Sequence, residues 1–80
     1  MPYVYMVECV DGSLYTGWTV DVAQRVKVHN AGRGARYTRM HGPVKLVYVE
    51  EWPTRAAAMR REAQIKAWPR ARKLSLVVNG

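Results

Sequence analysis

The chain has 80 residues, and its 13 Lys and Arg against 6 Asp and Glu give a net charge of +7. That length holds one modest core, which excludes a doubly wound dinucleotide fold, a closed barrel and any two-domain enzyme. A hydrophobic content of 49% excludes wholesale disorder, and the single cysteine, Cys9, excludes an internal disulfide or a Cys-rich zinc cluster.

Residues 2–9, PYVYMVEC, are β-branched and aromatic and read as a strand. Residues 13–19, SLYTGWT, read as a second, joined through Val10-Asp11-Gly12 as a hairpin. Loop length decides which side chains share a face. A two-residue loop pairs Val10 with Ser13 and puts Tyr5 and Tyr15 on opposite faces. A three-residue loop with a bulged Gly12 pairs Cys9 with Ser13 and Tyr5 with Gly17, so that both tyrosines share a face. The second register is the favoured one.

Thr19 is the expected N-cap of a helix over 20–30, with Val22, Ala23 and Val26 as its apolar stripe and Gly32 as its end. Arg25 and His29, four apart, fall together at the edge of that stripe. Residues 32–43 form a basic loop carrying Arg33, Arg36 and Arg39. A third strand spans 44–50. Trp52-Pro53-Thr54 breaks it and opens a second helix over 54–67, whose Trp52, Ala56, Met59, Ala63 and Ala67 fall in one sector expected to face the core. Pro69 starts a third, short helix over 69–77 with Leu74, Val77 and Val78 as its apolar side. The order β-β-α-β-α-α implies a single α+β domain over 1–80, a three-stranded antiparallel sheet with three helices, the first strand at its centre.

The charge is uneven. Residues 1–20 hold Glu8 and Asp11 and no Lys or Arg; the bases beyond fall into one group from Arg25 to Arg39 and another from Arg55 to Lys73, with Lys45 alone between them. Arginine predominates, which suits forked contacts to phosphate oxygens, so nucleic acid is the expected partner. No basic helix has the bulky apolar face that binding to a membrane surface uses. Nothing reads as a signal peptide or a spanning helix, and the thiol usage points to a cytoplasmic protein.

The sequence has no P-loop, no H-E-x-x-H and no nucleophilic triad motif. It has two hairpin tyrosines ten residues apart, an arginine ten further on and a lone glutamate on a basic helix. In this it resembles the GIY-YIG endonuclease domain, in particular a small single-domain bacterial branch. Tyr3-Val4-Tyr5 stands at the first signature triplet and Tyr15-Thr16-Gly17 at the second, with Tyr3 in place of Gly and Thr16 in place of Ile. Arg25 matches the helix-1 arginine and Glu62 the helix-2 glutamate.

The resemblance covers nearly the whole chain and implies a divalent-metal-dependent endonuclease acting on DNA, branched or single-stranded. It implies catalytic roles for Tyr5, Tyr15, Arg25 and Glu62, with His29 as a secondary candidate for proton transfer. Glu62 would hold one Mg²⁺ or Mn²⁺, with water and phosphate oxygens filling most of the sphere. Arg25 would clamp the phosphate, and Tyr15 or Tyr5 would orient or deprotonate water. Arg33, Arg36, Arg39, Lys66 and Arg70 are the expected contacts to the nucleic-acid backbone. Target choice would rest on backbone shape, on a protein partner or on a homodimer. The competing reading is a basic nucleic-acid-binding module without catalysis.

Overall fold

The computed structural model describes residues 1–31 and 43–79, so the expected DNA-facing arginines Arg33, Arg36 and Arg39 lie outside the described residues. The elements are β1 (Tyr3–Cys9), β2 (Leu14–Thr19), α1 (Val22–Asn30), β3 (Val44–Glu51), α2 (Arg55–Lys66) and α3 (Arg70–Asn79). The sheet order is β2-β1-β3, antiparallel throughout. This is the α+β architecture the sequence implies, with β1 at the centre.

The turn chemistry sets the hairpin. Gly12 takes φ +85, its N–H bonds Cys9 C=O at 2.9 Å, and Cys9 N–H bonds Ser13 C=O at 2.8 Å. Asp11 adds its carboxylate to the Ser13 N–H and hydroxyl. The bulged register follows, with Tyr5 opposite Gly17 and Val7 opposite Tyr15. On the other side, β3 slips by one residue against β1 between Met6 and Val7.

β1 is buried on both faces, which is why it reads as an almost unbroken apolar run. Val4 and Met6 pack with Ala58 and Ile65 under α2 and α3, where Trp18, Trp52 and Trp68 border the cluster. Tyr5, Val7 and Cys9 pack with Val44 on the opposite face, against Val26 of α1 and Tyr15. At the far end of α1, the Asn30 side chain accepts the Val44 N–H at 2.7 Å and ties the helix to the start of β3.

Four helix details differ from the sequence expectation. The N-cap of α1 is Asp21, whose carboxylate accepts the Gln24 N–H at 3.0 Å; the Thr19 hydroxyl accepts the Asp21 N–H one step earlier. Ala23 is exposed, and the inward stripe runs Val22, Val26, His29. In α2 the inward residues are Ala58 and Ile65, while Ala56, Met59, Ala63 and Ala67 are exposed. The expected sector was mostly alanine, which buries little apolar area; Ile65 decides the orientation, and Arg61 and Glu62 come with it because each has an ionic partner. Likewise Val78 is exposed on α3.

Candidate functional site

At the edge strand β2, side chains from α1 and from α2 wall a cleft of about 310 Å³. Tyr5 from β1, Tyr15 and Gly17 from β2, Arg25 from α1, and Arg55 and Glu62 from α2 line it. Trp18, Thr19 and Val20 complete the wall. Four of the five expected catalytic side chains therefore meet in one cleft, although they come from four separate elements. The fifth, His29, stands directly behind Tyr5. Arg55 is a cleft residue that the sequence placed only at the start of the second basic group.

Gly17 is what lets Tyr5 reach the cleft. A Cβ at Gly17 would lie 2.5 Å from the Tyr5 hydroxyl oxygen and 2.7 Å from Cζ, so the phenol crosses β2 through space that any side chain would fill. The hydroxyl then meets Nε2 of His29 at 2.8 Å. His29 is 2% exposed, and its ring stands edge-on to Tyr15 at 5.5 Å between centroids. The histidine is thus a core residue that supports both tyrosines. The signal for its burial was its place seven residues after Val22 and three after Val26 on the same stripe.

Burial raises the Tyr5 phenol well above its usual value, Tyr15 and Glu62 add to the rise, and Arg25 opposes it. Burial lowers the His29 value, and the positive charge of Arg25 lowers it further. The pair is accordingly neutral near pH 7: one O–H and one imidazole N–H, with the tautomer setting which group donates across the 2.8 Å contact. Arg25 and Glu62 both act on the Tyr5 hydroxyl through space, which is the electrostatic counterpart of their common cleft.

Glu62 is half-buried and pairs with Lys66 at 3.7 Å, one helical turn on. Among the described residues lining the cleft it is the only acid. The Lys66 ammonium also lies over the Tyr15 ring, 5.6 Å from its centroid. Arg70 stands apart from the cleft, beside the hairpin turn at Gly12.

The remaining bases of α2 and α3 are divided by function. Arg61 donates to Glu50 at 2.7 Å, and Tyr48 and Trp52 donate to the same carboxylate at 2.5 and 2.9 Å. Burial alone would raise the Glu50 carboxyl, but these hydrogen bonds outweigh it and hold the group below the usual carboxylate range. Arg61 and Arg72 stack on Trp68 at 5.0 and 4.2 Å. These two arginines serve the packing of α2, α3 and β3, away from the cleft.

Among the described residues no three His, Cys, Asp or Glu side chains are grouped as a metal cage. Among them, too, no helix is long and apolar enough to cross a membrane.

Comparison with known proteins agrees with this fold. Residues 1–75 match the family described as the GIY-YIG catalytic domain. A UPF0213 protein of Haloquadratum walsbyi is 55% identical over 78 residues, covering 98% of this chain and 88% of its own. A UPF0213 protein of Staphylococcus saprophyticus is 47% identical over 78 residues, covering 98% and 95%. The solution structure of a UPF0213 protein from Bacillus halodurans superposes with a TM-score of 0.62 at 48% identity, covering 98% of this chain and 84% of that one.

Proposed function

This chain belongs to the GIY-YIG catalytic-domain family, and from that premise we propose that its cleft binds a nucleic-acid phosphodiester and hydrolyses it with one divalent cation held at Glu62. The observation that carries the proposal is the convergence of Tyr5, Tyr15, Arg25 and Glu62 on one cleft from four elements.

The donor set suits Mg²⁺ or Mn²⁺ in a particular way. One carboxylate makes no cage, but a hard cation that keeps its waters and takes phosphate oxygens needs no more than one or two carboxylates. When bound, such a cation neutralises charge on the phosphoryl group and acidifies water. Arg25 and Arg55 offer forked donors to the nonbridging oxygens, from opposite sides of the cleft. Tyr5 is fixed on His29 with a raised pKa, which suits it to orient rather than to accept a proton. Tyr15 is the better placed of the two to hold the attacking water, and Arg25 stabilises the added transition-state charge.

A second reading keeps the binding and drops the cleavage. The ungrouped donor set among the described residues favours it, because Arg25 and Arg55 offer a phosphate its donors without any cation. A nicking assay on single-stranded, branched and duplex DNA, with Mg²⁺ or Mn²⁺, separates the readings. We expect cleavage by the parent and loss of at least about 10²-fold in Glu62→Ala and Arg25→Ala. Salt-sensitive binding without turnover in clean protein would leave the binding module. Cleavage undiminished in both variants would remove the assigned site.

A further inference from the structure

A second depression, of about 330 Å³, follows the cleft along β2 toward the hairpin turn. Leu14, Tyr15 and Thr16 form its strand side, and Lys66 and Lys73 form its helix side. Tyr15 belongs to both spaces and separates them. We infer that this depression is a second phosphate subsite, which holds the neighbouring phosphodiester of the same nucleic-acid strand. The inference rests on the reading of the cleft as a phosphodiester site.

Three observations support it. The first is charge: Lys66 and Lys73 face one space, and among the described residues no acid lines it. Lys66 reaches across, since its ammonium pairs with Glu62 at 3.7 Å and lies over Tyr15 at 5.6 Å. It is half-exposed and so can turn from Glu62 to an incoming anion. The second is Thr16. It is 3% exposed, and its Oγ1 has no hydrogen-bond partner among the described residues. Buried hydroxyls are normally paired, so an orphan in a lysine-walled floor is a donor that a phosphate oxygen meets once the lysine stems part. Thr16 is also the residue that stands where the signature triplet has Ile.

The third is alignment. Along β2 the cleft draws on Tyr15, Gly17, Trp18 and Thr19, whose middle falls at Gly17 and Trp18, and the depression on Leu14, Tyr15 and Thr16, whose middle is Tyr15. Two to three strand residues separate them, roughly 7–10 Å, a step that one nucleotide of backbone spans. Arg70 beside Gly12 continues the basic line to the turn. The bases Arg25, Arg55, Lys66, Lys73 and Arg70 thus follow the free edge of β2 from one end to the other.

The test uses the thymidine dimer TpT, with one phosphodiester, and the trimer TpTpT, with two, titrated at low salt without divalent metal and followed by amide NMR. TpT should shift Gly17, Arg25 and Glu62. TpTpT should bind several-fold tighter and also shift Leu14, Tyr15, Thr16 and Lys73. The Lys66→Ala/Lys73→Ala variant should lose that gain, and its salt slope on a longer oligothymidylate should fall by about 0.7 per lost contact. A charge-matched control, Lys27→Ala/Lys45→Ala on distant exposed positions, should keep the gain. If TpT binds but TpTpT gains nothing, or the control loses as much, the second subsite is overturned and the cleft stands. If inorganic phosphate shifts Leu14–Thr16 as strongly as TpTpT, the site is one for free phosphate and the inference fails. If no oligothymidylate binds, the reading of the cleft falls and this inference falls with it.

Discussion

Gly17→Ala tests the central geometry with one methyl group. The new Cβ would stand 2.5 Å from the Tyr5 hydroxyl oxygen, 2.7 Å from Cζ and 3.0 Å from Cε1. Ordinary heavy-atom contact lies near 3.5–4.0 Å, so the ring must retreat by about 1 Å. It has little room, being 1% exposed and packed with Val7, Cys9 and Val44. Overpacking of this kind costs about 1–3 kcal/mol. Retreat also opens the 2.8 Å contact with His29, and an orphaned buried nitrogen costs about 1–3 kcal/mol more. The sum, about 2–6 kcal/mol, corresponds to a fall in Tm of roughly 10 °C or more for a domain of this size. The measurement is a urea and thermal melt of the variant, repeated in a Tyr5→Phe background. There the nearest clashing atom is gone while Cζ remains, so the methyl should cost about 1 kcal/mol less. A penalty below about 0.5 kcal/mol, or one of equal size in both backgrounds, would show that Gly17 does not make room for the phenol.

The other predictions concern charge. Arg25→Lys keeps the charge and loses the fork, so oligonucleotide affinity should stay within a few-fold while metal-dependent cleavage falls about 10²-fold in single-turnover kinetics. His29 has a lowered value in the folded protein, so the unfolded chain takes up the proton first as pH falls. Its contribution to stability is complete above about pH 6.5 and is lost below that; urea midpoints should fall from pH 7 to 5.5, and His29→Gln should flatten that limb. Glu50→Gln removes the partner of Arg61 and should lower stability by about 1–3 kcal/mol in denaturant melts. Because the Glu50 carboxyl is held low, its contribution is present above its unfolded value and lost as pH falls through the folded one, so the variant should also be less sensitive to acid below about pH 4.5.

Local chemistry made the hairpin legible. Asp11-Gly12 set the turn, the turn set the register, and the register put Tyr5 and Tyr15 on one face opposite Gly17 and Val7. The central place of β1 was readable in its continuous apolar run. The approach of Arg25 and Glu62 was not a local property; the family resemblance supplied those two positions, and the cleft shows them together. Three features stayed hidden. His29 counts as polar in a stripe, although its spacing from Val22 and Val26 puts it inside. The inward face of α2 is decided by a single isoleucine, against three alanines and a methionine whose periodicity was better. The Glu50–Arg61 pair joins residues eleven apart on different elements, and no sequence spacing marks such a pair.

That last pair explains why one glutamate and not its neighbour is the candidate for an exchangeable ligand. Glu50 has donors from Tyr48, Trp52 and Arg61 at 2.5 to 2.9 Å, and an incoming cation would have to break all of them. Those bonds hold its carboxyl low and at the same time close the carboxylate to a new ligand. Among the described residues Glu62 has a single long ion pair, to a half-exposed lysine, an arrangement worth little in water and readily replaced. In the proposed site Glu62 would hold the cation in place of Lys66, and the Lys66 ammonium, beside Tyr15 and the second depression, would then be free to meet a phosphate. Strong satisfaction of Glu50 and weak satisfaction of Glu62 are thus two sides of one charge arrangement. The first holds α2 against β3, and the second leaves the cleft side of the same helix open to exchange.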